Sequence, residues 1–253
     1  MCTVTFVPKN DEYLLAMNRD DLLVRGEALP LVRARFASLA AVYPQESGGG
    51  TWTGVNQHGI SFALLNWAIA HKGTKIKSRG QVIPRMLVAT TLDHARMVFE
   101  GLELDGIFPF RLIGLFGSER AVSEWRWDGE CTTEHSLEWG MRHWFSSGAS
   151  DEQAELIRSA VCAQHWRDAW NELDRPQPGK YDWLRRLHAS HEPEQGIFSI
   201  CAHRDIGGTL SYTEIEVTNG SIRISYSPQS PCKGIDFADS AVITRAARTA
   251  TFA

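Results

Sequence analysis

The sequence predicts an α+β fold in which a sheet-on-sheet core carries helices on both faces. Strand-like and helix-like segments come in runs (strands, helices, strands, helices, strands), which favours layered packing over alternating βαβ units. No repeat, linker or low-complexity segment divides the 253 residues. That length suits one large domain, so residues 1–253 are expected to form a single domain. The content of 43% hydrophobic and 22% charged residues is ordinary for a soluble globular chain.

Taken in order, Thr3–Val7 and Tyr13–Met17 are two apolar strands joined by a hairpin turn at Asn10-Asp11. Arg19–Asp21 should then lie just past the second strand, where a rigid scaffold can present side chains. Ser47–Gly50 is a turn, and Thr51–Asn56 and Ile60–Asn66 make two more strands. Arg79–Thr91, with Pro84 near a helix start, and Leu92–Leu102 are helical. Phe110–Phe116 and Ala121–Trp127 are strands followed by a turn at Asp128-Gly129, and Gly140–Ser146 is another strand. Ser150 can cap the longest helix, whose Ile157, Ala160, Val161, Ala169, Trp170 and Leu173 keep a helical period; Pro176 and Pro178 end it. Tyr181–Ala189 is a further helix. Phe198–His203, Thr209–Val217 and Ser221–Ser227 return to strands, with a type I′ turn expected at Asn219-Gly220. The tail after Lys233 is weakly patterned.

Several function classes are excluded. A formal net charge of −4 gives no basic footprint for nucleic acid. No run of about 18 apolar residues is present, so no membrane span is expected, and the N-terminus lacks the apolar stretch of a secretory signal. The five cysteines are widely spaced and form no CxxC pair, so reduced thiols in a cytoplasmic setting fit better than a disulfide framework. The expected partner is a small-molecule substrate or ligand; the pattern says nothing of oligomeric state.

The residues that suggest chemistry cluster early. If Met1 is removed, Cys2 carries a thiol and a free α-amine on one carbon, and an adjacent amine is one known way to activate a nucleophile. The reference pKa of the amine, about 7.7–8.0, suits a general base at neutral pH. Arg19 would favour thiolate and free amine, Asp20 (or Asp21) could orient Arg19 or the ammonium, and the Asn66 amide could donate to a tetrahedral oxyanion. Each residue also has a plain structural reading: a small buried hydrophobe at a strand start, a turn ion pair, a turn-forming asparagine. Other motifs carry less. His203-Arg204-Asp205 lacks the remaining kinase elements, and His188-x-x-His191-Glu192 is not HExxH. With no other zinc spacing, no metal site is expected. Gly48-Gly49-Gly50 lacks a following GK[ST], and a hairpin turn explains the Asn219-Gly220-Ser221 sequon.

Met1-Cys2-x-x-x-Phe6, Asn18-Arg19-Asp20-Asp21, Gly49-Gly50-Thr51-Trp52-x-Gly54, Ser78-Arg79-Gly80, His203-Arg204-Asp205 and Ser211-Tyr212-Thr213-Glu214 together resemble the NRDE-motif family, also called the transport and Golgi organisation protein 2 family. Asp21 stands where the motif name has Glu. That family is similar to N-terminal nucleophile (Ntn) hydrolases of the penicillin acylase and bile-salt hydrolase type. The resemblance implies a four-layer αββα sandwich and an amidohydrolase acting on linear, non-peptide C–N amides, with Cys2, Arg19, Asp20 and Asn66 as catalytic residues. Asn18, Trp52, Asn56, His203 and Arg204 are expected to bind substrate, the last two at the pocket mouth or else in sheet-end hydrogen bonds. No cofactor is implied. A second implied reading is a non-catalytic carrier on the same fold, with haem as cargo or a part in lipid or acyl-CoA homeostasis. Two positions depart from the hydrolases: Ser146-Ser147-Gly148 stands for a second asparagine, and Thr209-Leu210-Ser211 for a late arginine.

Overall fold

The structure is a computed structural model describing residues 2–25, 29–69, 77–173 and 181–246. Its first hairpin joins β1 (Cys2–Lys9) to β2 (Glu12–Leu22), with Cys2 opposite Arg19 and Lys9 opposite Glu12. Asn10 takes φ +56° in the turn, a left-handed conformation that asparagine tolerates better than most residues. The strand alternation decides which face each residue serves. Cys2, Val4, Phe6, Tyr13, Leu15 and Met17 enter the core between the sheets, whereas Leu14 and Ala16 enter a second core under helices.

The second sheet is an antiparallel meander in chain order: β3 (Leu29–Phe36), β4 (Leu39–Gln45), β5 (Thr53–Asn56), β6 (Ile60–Asn66), β7 (Phe110–Phe116), β8 (Ala121–Trp127) and β9 (Thr132–Leu137). Inserted between β6 and β7 are α1 (Val82–Met86) and α2 (Leu92–Glu100). Val82, Ile83, Met86, Ala95 and Phe99 pack there against Phe62, Phe110, Phe116 and Trp125. The chain then returns to the first sheet with β10 (Arg142–Ser146) and enters α3 (Asp151–Leu173) and α4 (Asp182–Ala189). It ends with β11 (His203–Arg204), β12 (Gly207–Val217), β13 (Ser221–Ser227) and β14 (Asp239–Thr244). The first sheet runs β10-β1-β2-β12-β13-β14, with β11 on β12. Ala154, Val161, Cys162 and Ala169 of α3 and Trp183, Leu184 and Leu187 of α4 pack beneath it with Leu14, Ala16 and Tyr212. No helix of the described residues is long and apolar enough to cross a membrane.

Several sequence expectations change. β2 runs on through Leu22, so Arg19–Asp21 lie inside a strand and alternate between its faces rather than following it. β3, β4, β9 and β14 were not anticipated; in β9, residues Thr132–Ser136 are exposed, so no buried stripe marks it. Residues 198–202 are irregular and only His203–Arg204 pair, because the apolar run is buried in a loop rather than in a ladder. Ala160 and Trp170 are exposed on α3, where Ala154, Arg158, Val161, Cys162 and Ala169 make the inward stripe. Gln153 N donates to the predicted cap, Ser150 Oγ, at 3.2 Å. Thr218 N donates to Ser221 O at 2.9 Å around Asn219-Gly220, but neither central residue has positive φ, so the turn is not type I′. Pro176 and Pro178 lie outside the described residues.

Candidate active site

Cys2 begins β1 between two strands, opposite Arg19 of β2 and Ser146 of β10. It lines a cleft of about 80 Å³ with Arg19, Asp20, Asp21, Trp52 and Asn66. Asn66 comes from the end of β6 in the other sheet, so the cleft sits where the two sheets open at one end. Arg25, Glu46, Thr51, Leu64 and Ser78–Gly80 complete it. The Ser78–Gly80 wall is held close: Thr51 N donates to Gly80 O at 3.1 Å, and a Cβ on Gly80 would lie 2.7 Å from Gly50 Cα. Glycine is required there for backbone to meet backbone.

Arg19, Arg25, Asp21 and Glu46 pair with one another, whereas Arg79 donates to the Pro109 carbonyl. Arg19 Nη2 donates to Asp21 Oδ2 at 2.7 Å and to Glu46 Oε1 at 2.8 Å, and its guanidinium lies 4.6 Å over the Trp52 ring. Arg25 reaches the same carboxylates at 3.2 and 3.4 Å. Asp20 accepts from Thr209 Oγ1 at 2.6 Å and lies 4.0 Å from Arg158 Nη2. Burial pushes the Asp20 carboxyl above the usual range, with Arg158 opposing. Burial likewise raises the Cys2 thiol; Asp20 adds to the shift and Arg19 works against it. The expectation that Arg19 would lower the thiol is therefore outweighed by desolvation. Among the described residues, two buried polar atoms near Cys2 have no hydrogen-bond partner: Trp52 Nε1, of a residue that lines the cleft, and Ser146 Oγ, of the residue opposite Cys2, which does not. An unsatisfied buried donor costs roughly 1–3 kcal/mol, and Trp52 Nε1 suits an acceptor on a ligand bound in the cleft.

The family profile described as Transport and Golgi organisation 2 matches residues 1–127, half of the chain. The chain belongs to that family. Among curated proteins no match is found. Among solved structures, the C2A mutant of conjugated bile acid hydrolase from Clostridium perfringens superposes with TM-score 0.58 at 8% identity, covering 98% of this chain and 97% of that one. An arginine-to-leucine variant of the same hydrolase gives 0.57 at 8% identity, covering 96% of each chain. Penicillin V acylase from Agrobacterium tumefaciens gives 0.49 at 12%, covering 89% of this chain and 82% of that one. The two hydrolase structures establish an Ntn-hydrolase-like fold of mixed, mostly antiparallel character.

The family's motif residues separate on the structure. Cys2, Arg19, Asp20, Asn66 and Trp52 share the cleft; four other expected site residues do not line it. Asn18 is fully buried, its Nδ2 donating to His188 O and Ile200 O at 2.9 and 3.0 Å, with His188 Nδ1 3.0 Å from its Oδ1. Asn56 spends its amide on Leu87 O and Ala89 O and its carbonyl on His58 N and Ile60 N. Both are staples, since strand alternation and a tight turn aim them into backbone. His203 faces His191, Cys201 and Cys232 instead. Arg204 lies outside the cleft lining, although its charge favours ionised Asp20. Met1, whose removal the expected amine-assisted chemistry would require, is outside the described residues.

Sequence reasoning missed Arg158 and Glu46, and it quoted Arg79 within Ser78-Arg79-Gly80 without giving it a place in the site, where it lines the cleft. Arg158 is fully buried and donates to Thr3 Oγ1 and to the carbonyls of Ser146, Ile197 and Phe198. Its signal was available: an arginine on the inward stripe of α3, where a charge must find partners. Glu46 carried no signal, because it follows a strand that the pattern did not reveal.

Proposed function

We propose that this chain is an N-terminal-cysteine amidohydrolase that cleaves a non-peptide C–N amide, an N-acyl compound, once Met1 is removed. One observation carries the reading: Cys2, Arg19, Asp20 and Asn66, from strands of two different sheets, line one small cleft. The three apolar cores, one between the sheets and one under each helix pair, support the four-layer αββα arrangement. The fold likeness to a bile acid hydrolase is consistent with it.

In this mechanism the free amine of Cys2 takes the thiol proton as sulfur attacks the carbonyl carbon. Asn66, and the unpartnered Trp52 Nε1, donate to the oxyanion. The amine then returns the proton to the leaving nitrogen, and water releases the acyl group from sulfur. Asp20, buttressed by Thr209 and Arg158, holds the ammonium through the attack. Burial raises the thiol, which disfavours a resting thiolate and gives the neighbouring amine its part as base. A cleft of about 80 Å³ holds an amide junction. This cleft is smaller than the roughly 300–1,000 Å³ typical of pockets for cofactor-sized ligands, which favours the hydrolase over a carrier at Cys2. A second cavity of about 310 Å³ shares Ser78 with the cleft; Val82, Leu102, Leu104 and Ile107 line it together with Lys77, Gln81, Arg85 and Glu103, so it offers room for an acyl group that carries polar as well as apolar parts.

The test pairs intact mass with turnover. Loss of Met1, single fast alkylation that is absent in Cys2→Ala, and hydrolysis of an N-acyl panel by wild type alone are expected. Retained Met1 with an inert Cys2 would remove the hydrolase and leave a carrier. A haem titration with a saturable Soret shift would then identify haem as its cargo.

A further inference from the structure

We propose that His191, Cys201, His203 and Cys232 form a tetrahedral zinc site, separate from the Cys2 cleft. Their four ligand atoms all lie within 4.8 Å of one another. His191 Nε2 and His203 Nε2 are 3.1 Å apart. Cys201 Sγ and Cys232 Sγ lie 3.7 and 3.5 Å from His203 Nε2. A zinc ion bound at about 2.05 Å by nitrogen and about 2.3 Å by sulfur sets tetrahedral edges of about 3.3 Å for N···N and about 3.6 Å for S···N. The three separations from His203 Nε2 match those edges, and the other three pairs lie within 4.8 Å, close enough for small side-chain adjustments to bring all four atoms onto one ion.

Hydrogen bonding alone accounts poorly for the group. A neutral imidazole nitrogen offers either one proton or one lone pair, yet His203 Nε2 has three polar neighbours inside 3.7 Å. A cation at the centre satisfies all four groups at once. Ser230 Oγ lies 3.1 Å from Cys201 Sγ and 3.2 Å from Cys232 Sγ, where a hydroxyl can support a metal-bound thiolate. Four protein ligands of mixed sulfur and nitrogen, with no open position, describe a structural zinc site rather than a catalytic one.

The chain around the group needs such a clip. Residues 190–202 form no helix or strand, a long irregular stretch for a packed domain. Cys201 N donates to Ser190 O at 2.9 Å and His203 N to Gly196 O at 3.0 Å, which presets the loop. Cys232 arrives from the short turn Pro231–Lys233, far along the chain. The same loop stands behind the Cys2 cleft: Ala202 N donates to Thr209 Oγ1, which donates to Asp20 Oδ1. Zinc here would fix the wall that holds Asp20.

The test uses tagless, full-length protein purified with a thiol-free reductant. Elemental analysis should give about one zinc per chain. Chelator-stripped protein titrated with Co²⁺ should show the intense visible bands of tetrahedral cobalt and a thiolate-to-cobalt band in the near ultraviolet. Cys232→Ser and His191→Ala should each lose at least tenfold in zinc content, while Cys131→Ser, an exposed cysteine, should keep it. Should either ligand variant fail to fold, alkylation mapping of wild type decides: Cys201 and Cys232 are protected until a chelator is added, and Cys131 reacts throughout. Absence of both metal and cobalt spectrum, full zinc in the variants, or a Cys201–Cys232 disulfide in protein purified without reductant would overturn the site.

Discussion

Within the motif Asn18-Arg19-Asp20-Asp21, neighbouring residues do different work because a strand sends them to opposite faces. Asn18 bridges backbone oxygens at residues 188 and 200 from inside the core, whereas Asn66 lines the cleft. The two asparagines therefore predict opposite phenotypes. Asn18→Ala strands two buried carbonyls and the His188 ring, and should cost about 2–4 kcal/mol of stability. Asn66→Ala should cost about 1 kcal/mol or less, yet abolish hydrolysis of any N-acyl substrate found. Urea melts and turnover on the same two proteins check this; a stable Asn18→Ala protein would show that the staple is dispensable. Similarly, Asp21 in place of glutamate still reaches Arg19 at 2.7 Å, since Glu46 and Arg25 close around the same guanidinium network.

Strand edges with strong alternation or turn residues were legible: Ile60–Asn66, Phe110–Phe116, Ala121–Trp127 and Ser221–Ser227 match the structure end to end. What escaped were elements whose partner supplies the pattern. β3 pairs with β4 over a largely exposed face, and β14 borrows its register from β13. The site was half legible for the same reason. Cys2, Arg19, Asp20 and Asn66 sit in recognisable local patterns, but only tertiary packing brings Glu46 to the cleft and Arg158 behind Asp20. The His/Cys group draws on three separate segments, so no local spacing announces it. The Gly50–Gly80 crossing was marked only by glycines, and it is where one wall of the cleft is set. Gly80→Ala would push a methyl group against backbone at Gly50 Cα and Thr51 N, 2.7 and 3.0 Å away, costing about 1–3 kcal/mol. Gly48→Ala, which meets nothing within 4 Å, should be close to neutral. Comparing the two melting midpoints tests whether this contact holds the wall; equal midpoints would mean that it does not.

At the scale of the whole molecule, the helices under the first sheet are joined to it by polar as well as apolar contacts, and this gives the fold a sign in its response to acid. His188 of α4 is fully buried; Thr5 Oγ1 of β1 donates to its Nε2 at 2.9 Å, and its Nδ1 donates to Asn18 Oδ1 of β2. Burial, with His143 adding to it, lowers His188 from 6.5 to about 3. His143, which shares Thr5, is lowered by burial to about 4. Both rings are thus held neutral in the folded chain, while the unfolded chain gains protons as the pH falls below about 6.5. Their contribution to stability is complete above that value and is lost as the pH falls towards 4 and then 3. Each ring contributes a slope of up to about 1.4 kcal/mol per pH unit inside its window. Denaturant midpoints should therefore fall between pH 7 and pH 5, before most carboxylates titrate. Histidine ring signals followed by NMR assign the cause: the His188 signal should stay unshifted down to about pH 4. A His188 titration near pH 6.5 would show that the ring is not buried against Asn18 and Thr5, and that α4 does not dock on β1 and β2 in this way.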